Sequence, residues 1–312
     1  MVCICLTVYY GKVYLILTKT ESAIRNNLLY FRHFMLIFSL LATSGCSYLI
    51  EKQSNKLAQQ MTDTLLNFED PATVGSAMPT FLIIADSMAR SKDASGQSQL
   101  SAAQIYGAYS GAFVTEQKRQ KILSNKAFNY AQSGSCKIDK KWCDIRELDN
   151  KAFLSFSKKL EKDDVNIAYA YAVAWLSYIQ SNSDDWNAIA NLSKAELLLD
   201  VVIKYDEEHD NAGAHLYLAA IATTLPPALG GKPDVGKKHF LRGIELTNGR
   251  HLLMKVEYAR RYGRLMFDQE LHHQQLTEVI AADPVEPDLT LLNSWAQQQA
   301  EALLEDETEY FE

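Results

Sequence analysis

The sequence predicts an all-α protein in which successive helices pair as hairpins. Apolar residues recur at helical spacing along most of the chain, and no stretch shows the sustained two-residue alternation of a half-buried strand. Glycine and proline breaks divide this pattern into segments of helical length. With 312 residues, 47% apolar and 22% charged, the chain can bury a substantial core, and the composition excludes a disordered or multi-pass membrane protein.

The charge balance is acidic. The chain has 31 lysine and arginine residues against 38 aspartate and glutamate residues, a formal charge of -7. A basic patch is the usual electrostatic signature of nucleic-acid binding, so this balance argues against nucleic acid as a partner.

The N-terminus has the order of parts of a secretory signal peptide. Arg25 and Arg32 precede the uncharged apolar run 34–42, and the small residues 43–45 follow. The apolar run is shorter than the ~20 residues that a membrane-spanning helix needs. We therefore assign residues 1–45 to the signal peptide, and residues 1–24 to an over-extended start of translation.

Cys46 follows the small residues directly, and this arrangement resembles a bacterial lipobox, with Thr43 where leucine is usual. The resemblance implies that Cys46 carries diacylglycerol and a further acyl chain such as palmitate, which together give a stable anchor. Ser47 in place of aspartate implies the periplasmic side of the outer membrane. The alternatives are a plain secreted protein and a core cysteine.

Cys136 and Cys143 are the two cysteines of the mature chain, with six residues between them. An even pair in an exported protein favours a disulfide. A structural zinc site is the weaker alternative, because it needs four ligands and no further cysteine or nearby histidine is present.

Helical spacing predicts one domain over residues 46–312, with no long or low-complexity linker. In the segment 193–206, Ala195, Leu199 and Val202 belong to one apolar stripe, whereas 166–179 is apolar nearly all round, as in a helix packed on both sides. The predicted helices are 49–67, 72–91, 98–116, 117–133, 146–161, 164–181, 193–206, 211–224, 234–247, 251–266, 268–282 and 288–305.

Three of these helices repeat a triplet with spacings of four and three residues. The offsets between corresponding triplet positions are 41 and then 36 residues. The pattern is similar to the second helix of tetratricopeptide (TPR) repeats, in which small residues allow close approach of the partner helix and a large residue fills the groove. An ordinary amphipathic bundle is the alternative. The triplets are Ala195, Leu199, Val202; Gly236, Phe240, Gly243; and His272, Leu276, Val279.

A loop of the form Leu-Pro-x-x-Leu-Gly-Gly is followed by two further motifs: Gly249-Arg250 comes after the next helix, and 258–262 reads Tyr-Ala-Arg-x-Tyr. Together these motifs resemble the TatT family, the T component of TRAP (tripartite ATP-independent periplasmic) transporters. The resemblance covers about 46–304 and is strongest over 175–284. The loop residues that carry it are Leu225, Pro226, Leu229, Gly230 and Gly231.

The resemblance implies a periplasmic, lipid-anchored, TPR-like protein that docks the solute-binding receptor of a TRAP system and passes a hydrophobic small molecule. A generic periplasmic TPR-like scaffold is the alternative function. A metal-dependent hydrolase is the third, but the sequence has no zinc, nucleophile-elbow or phosphate-loop motif, so we expect no enzyme and no cofactor. The oligomeric state stays open, a homo-oligomer included.

Two groups of residues are candidates for the ligand or partner surface. Aromatic residues on the most apolar helices would suit a partly apolar ligand, although the same rings could fill helix interfaces. A basic cluster in 250–264, comprising Arg250, Lys255, Arg260, Arg261 and Arg264, would suit an acidic partner or simply face solvent. The predicted surface residues are Trp175, Tyr178, Tyr217, Tyr258, Arg261 and Tyr262.

Overall fold

The computed structural model describes residues 60–312. The chain divides into two units, Met1–Thr64 and Leu65–Glu312, and the second unit holds the helices described below. The predicted signal peptide, the lipid-attachment residue Cys46 and most of the predicted helix 49–67 lie outside the described residues.

The all-α prediction is confirmed for the described part of the chain, which contains no strand. Residues 60–66 are helical, and thirteen α-helices follow from residue 71 onward. They are α1 Pro71–Arg90, α2 Gly96–Phe113, α3 Gln117–Ile138, α4 Asn150–Ser157, α5 Val165–Ser181, α6 Trp186–Ile189, α7 Leu192–Tyr205, α8 His209–Ala222, α9 Pro233–Leu246, α10 Leu252–Glu257, α11 Gln269–Ala281, α12 Thr290–Glu305 and α13 Glu307–Phe311.

Short polar side chains set the starts of several helices. Asp70 accepts a hydrogen bond from the Ala72 amide at the start of α1, where Pro71 is the first helical residue. Ser95 and Asp149 cap α2 and α4 in the same way, each accepting from a backbone amide three residues later. Such caps satisfy amide groups that the first turn of a helix leaves without a partner.

The predicted helix 146–161 is wrong in detail. A 3₁₀ turn, Ile145–Glu147, follows Asp144 in a left-handed conformation (φ 57°), and α4 starts only after the cap at Asp149. The predicted helix 117–133 instead continues to Ile138. The short helices α6 and α13 were not predicted, because four or five residues are too few to show a helical period.

Each helix packs mainly on its neighbours along the chain. The strongest contacts join α2 with α3, α3 with α5, α5 with α7, and α8 with α9, whereas α12 contacts α10, α11 and also α1. A large apolar core extends from α1 to α8, and two smaller clusters occupy the helices from α8 to α12.

All nine residues of the repeated triplets are buried. Gly243 lies against Met254, and a Cβ atom added to Gly243 would come within 2.5 Å of the Met254 Cε. A Cβ added to Gly236 would lie 2.6 Å from the Thr223 Cγ2 and 3.1 Å from the Ala219 carbonyl. Gly236 therefore allows the close packing of α9 on α8, and Gly243 leaves room for the Met254 side chain of α10.

The connections of the helices between α5 and α12 fall into two alternating sets, because consecutive helices pack on each other as hairpins. In the first set, the Lys232 amide bonds to the Ala222 carbonyl (3.0 Å), and the Lys237 ammonium lies over the Tyr262 ring. In the second set, the Leu252 amide bonds to the Asn293 side chain (3.0 Å). We call the connections 182–191, 223–232 and 264–268 the apolar end, and the connections 206–210, 247–251 and 282–289 the polar end.

Helix α1 is notable for its hydropathy. Within the described residues, it is the helix that is long and apolar enough to cross a bilayer by length and composition alone, with a mean hydropathy of 1.2. Core helices of folded proteins meet the same criterion, and Val74, Met78 and Leu82 of α1 are buried.

Cys136 and Cys143 face each other. Cys136 lies in the last turn of α3, Cys143 follows a 3₁₀ turn, and their Cα atoms are 4.4 Å apart with the sulfur atoms at bonding distance. This Cα separation is compatible with a disulfide.

Candidate functional site

The loop that suggested the family forms a tight turn between α8 and α9. The amides of Leu229 and Gly231 both bond to the Pro226 carbonyl, at 2.9 and 3.1 Å. Gly230 has a φ of 87°, which glycine adopts without a steric penalty. A Cβ atom on Gly231 would overlap the Leu225 carbonyl, so only glycine fits there. The motif residues thus specify the backbone of this turn.

The same loop presents apolar side chains to solvent. Leu225 and Leu229 are 46% and 68% exposed. The other two connections of the apolar end do the same, with Trp186 at 82% and Phe267 at 63%, and Met266 also exposed. At the polar end, by contrast, Val285 is the large apolar residue that is exposed. Exposed large apolar side chains of this kind indicate an interaction surface.

Phe267 combines exposure with an unfavourable backbone. Its φ of 55° lies in the left-handed region, which is a genuine outlier for a bulky residue. Its ring contacts Phe311 at 5.2 Å between centroids. Strained residues persist where the surrounding structure holds them and are concentrated at functional sites. The apolar end therefore contains a strained, exposed aromatic residue.

Two predicted surface residues lie in the aromatic core between α3 and α5. Trp175 is fully buried and stacks on Phe128 at 5.4 Å, so it is not part of an open surface. Tyr178 is half-buried and packs on Phe128 at 5.1 Å. The Arg146 guanidinium lies over the Tyr178 ring at 5.1 Å and donates to its hydroxyl at 3.3 Å.

Tyr258 and Tyr262 lie in a π-helical segment, Tyr258–Gly263, that continues α10. Their rings are 5.4 Å apart, and Tyr258 also packs on Phe240 at 5.4 Å. Both are buried, so the prediction of an open tyrosine surface here is corrected to a packed helix interface. Burial raises the pKa of the Tyr258 phenol to about 12.

Tyr217 lies beside a buried hydrogen bond. Tyr169 donates to the Asp210 carboxylate at 2.6 Å, and the Tyr217 ring lies 6.3 Å from the Tyr169 ring. Burial raises the pKa of both phenols above the usual range. Gly213 is required here, because a Cβ atom would overlap the Tyr169 hydroxyl.

The predicted basic cluster is neutralised within the protein. Arg260 and Arg261 both bond to Glu257, which is largely buried. The remaining three cations each pair with an acidic side chain from a later helix or connection, so the cluster does not form a free cationic surface. These pairs are Arg250–Glu286, Lys255–Glu278 and Arg264–Asp306.

A strained turn lies at the start of α8, next to the polar end. Asp210, Asn211 and Ala212 are consecutive residues with φ of 50°, 54° and 60°. His251 is buried and its Nδ1 lies 3.0 Å from the Asn211 carbonyl, so it is the donor there. Its Nε2 atom has no hydrogen-bond partner among the described residues, and burial lowers its pKa.

A second histidine network joins α8 to α9. Because the Glu207 carboxylate only accepts, the His215 Nε2–H donates to it at 3.1 Å. The His215 Nδ1 then accepts from the Nδ1–H of His239, 2.9 Å away. Hydrogen bonds from Arg242 are the main cause that lowers the Glu207 pKa to about 2, whereas burial lowers the pKa of both histidines.

Sequence reasoning did not find this network, since His215 and His239 are 24 residues apart on different helices. Among residues 60–312, no cluster of three or more histidine, cysteine or acidic residues could hold a metal ion. An open groove next to α11 is lined by residues with polar or ionisable side chains, namely Gln269, Glu270, His273, Gln274 and Glu307. The exposed apolar side chains of the apolar end are the feature of the described residues that suits binding.

The helical core and the turn at 225–231 also match a known family. A model of the family described as TRAP transporter T-component matches residues 67–311. The chain belongs to the TRAP transporter T-component family. None of the curated proteins compared with the chain matches it. The family assignment confirms the prediction from the loop motif and gives the chain an accessory role in TRAP transport, in a family that is not known for enzymes.

Proposed function

We propose that this chain is a lipid-anchored, TPR-like accessory protein that docks the solute-binding receptor of a TRAP system through its apolar end. The observation that carries the proposal is the exposure of large apolar side chains on all three connections of that end, including Leu229 in the loop that suggested the family. Docking would remove these side chains from water, which is favourable in proportion to the apolar area buried.

Aromatic side chains and a tight turn at the apolar end support this assignment. Aromatic residues are enriched at the centres of protein interfaces, and Trp186 and Phe267 offer two such anchors. The tight turn at 225–231 holds Leu225 and Leu229 in place before binding, which lowers the entropy cost of association.

Packing of the triplet helices supports the TPR-like part of the proposal. The triplets lie on α7, α9 and α11, and their three residues are buried in each case. Each of these helices follows a more apolar helix in the sequence. Glycine at both small positions of α9 brings neighbouring helices close, which is the packing that stacks successive hairpins.

Anchoring and oxidation complete the proposal. Acylation at Cys46 would hold the protein on the periplasmic side of the outer membrane, and export would permit the disulfide between Cys136 and Cys143. Both expectations come from the sequence, and the facing cysteines support the second. A thiol count on the purified protein, with and without reductant, tests the disulfide.

Transfer of a hydrophobic solute is the second part of the proposed role. A receptor docked on the apolar end would place its ligand next to Trp186 and Leu229 and away from water. Extraction of the purified complex into organic solvent, followed by mass spectrometry, would identify an apolar solute. Its absence from complexes purified during active uptake would contradict solute transfer and leave docking intact.

The docking proposal is tested by binding to the receptor of the same TRAP system. We expect Leu229→Asp to weaken the Kd by about tenfold or more, because a buried interface anchor contributes about 2 kcal/mol and each 1.4 kcal/mol is tenfold. Val285→Asp is the matched control, since Val285 is 57% exposed at the polar end. Equal loss in both variants, or tight binding by Leu229→Asp, would disprove docking at the apolar end. Capture of an unrelated envelope protein in place of the receptor would favour the generic scaffold.

A further inference from the structure

Helix α1 has one side in the core and one side in water. Val74, Met78, Leu82 and Ala89 are buried against the rest of the bundle. The opposite side is exposed, with Ile83 at 71%, the highest value on this helix for a large apolar residue. We define the outer face of α1 as the exposed residues Ser76, Thr80, Ile83, Ile84, Ser87 and Met88.

The outer face carries no charge. The charged residues of α1 are Asp86 and Arg90. Asp86 is turned inward, where it pairs with Lys126 and accepts a hydrogen bond from the Tyr130 hydroxyl. Arg90 lies in the last turn, pairs with Asp86 at 3.5 Å, and keeps 71% of its side chain exposed. The face is therefore an uncharged, partly apolar strip with a cation at one end.

We propose that the outer face of α1 lies flat on the lipid surface to which the protein is anchored. The inference rests on the acylation of Cys46 in the proposed function. Residues 47–70 link that cysteine to Pro71, and because 60–66 are helical these 24 residues reach less than the about 80 Å of a fully extended segment. The anchor thus keeps α1 close to the bilayer and raises the effective concentration of lipid at this face.

The residues at the end of α1 and on its outer face suit a lipid surface. Arg90 and the exposed Lys92 would reach the headgroup phosphates while Ile83, Ile84 and Met88 enter the acyl boundary. The Ser76 hydroxyl already bonds to the Ala72 carbonyl at 2.9 Å, so it needs no water. Packing of the buried side on the bundle holds α1 on the surface and prevents it from spanning the membrane, despite its length.

The experiment uses the full acylated chain in phosphatidylethanolamine–phosphatidylglycerol vesicles. Ile83→Cys and Ile84→Cys are each labelled with an environment-sensitive fluorophore, and vesicles with brominated lipids quench labels in the acyl region. Leu241→Cys on α9 is the matched control, because Leu241 and Ile84 are both 47% exposed. The unsubstituted protein reports any labelling of native cysteines.

We expect quenching at Ile83 and Ile84 about twofold or more above that at Leu241, since an interfacial helix buries its apolar face about 5–10 Å deep. Blue-shifted labels that brominated lipid does not quench would show a protein, such as a second copy, on this face and would overturn the proposal. Labels with water-like emission would overturn it as well. Flotation of the protein with vesicles shows whether the anchor holds. Failure to float would overturn both the anchoring and this inference.

Discussion

The two ends of the helix array differ in where their side chains find partners. At the apolar end, Trp186, Leu229 and Phe267 point large apolar groups at solvent. At the polar end, Asn293 is fully buried and its side chain bonds to Leu252, Arg250 and Pro284, so the connections there are held within the chain. We infer that the polar end contributes to folding, whereas the apolar end is available to a partner.

Removing a buried polar link at the polar end should have the largest effect. Asn293→Ala deletes one accepted and two donated hydrogen bonds and leaves buried backbone groups unpaired. We expect a loss of about 3 kcal/mol in the free energy of unfolding, at about 1 kcal/mol or more per bond. Urea unfolding followed by circular dichroism measures it.

Trp186→Ala at the apolar end is the control, and we expect a change within about 0.5 kcal/mol because an exposed ring contributes little to folding. A Trp186→Ala loss as large as that of Asn293→Ala would remove the distinction between the two ends.

The disulfide should give the second-largest effect. Cys143→Ser opens a closed loop of eight residues, and we expect a loss of about 2–3 kcal/mol from loop-closure entropy. The same unfolding experiment on the unsubstituted protein with reductant should reproduce that loss. Insensitivity to reductant would show that the two cysteines are not joined.

Acidification should lower the stability of the protein. Burial lowers the folded-state pKa of His215, His239 and His251 below their ordinary value of about 6.5. Above that pH the histidines are neutral in both states and their contribution to stability is complete. As pH falls through 6.5, the unfolded chain binds protons that the folded chain does not bind, so the free energy of unfolding decreases.

Unfolding between pH 7.5 and 5 measures this loss, and His239→Asn should reduce it. The charged neighbours of the network, Glu207 and Arg242, keep their charges in that window, because the Glu207 pKa is lowered to about 2. Greater stability at pH 5 than at pH 7.5 would contradict neutral, buried histidines.

Phe267→Asn should have the smallest effect on folding. Asparagine tolerates the left-handed conformation that Phe267 adopts, but the variant loses the contact with Phe311. We expect a change within about 0.5 kcal/mol in the free energy of unfolding, alongside weaker receptor binding. A stability loss above about 2 kcal/mol would place Phe267 among the folding residues.

Most helices were predicted from apolar spacing, because a helix buries one stripe and the stripe has a fixed period. The predictions that were wrong depended either on local backbone geometry or on contacts between distant residues. The helix predicted at 146–161 missed the extended Leu148 and the cap at Asp149, since a break of this kind depends on a few backbone angles. Trp175 was predicted on a surface, but helical spacing does not tell whether a ring meets a ligand or another helix.

The candidate site was predicted in part. The loop residues Leu225 and Gly231 indicated the family, and the structure explains them, because Gly231 alone fits against the Leu225 carbonyl. The basic cluster was predicted as a surface, but Arg250 pairs with Glu286, 36 residues later in the chain. Such pairs depend on helix packing and leave no local signal.

The sequence by itself determined the helical class, the family and the turn at 225–231, since period, small residues and glycine geometry act within a few residues of each other. Only the tertiary structure decided which charges are neutralised, which aromatic rings are buried and which end of the array stays apolar. These properties depend on contacts between distant helices, where the burial of one side chain is set by the residue that packs against it.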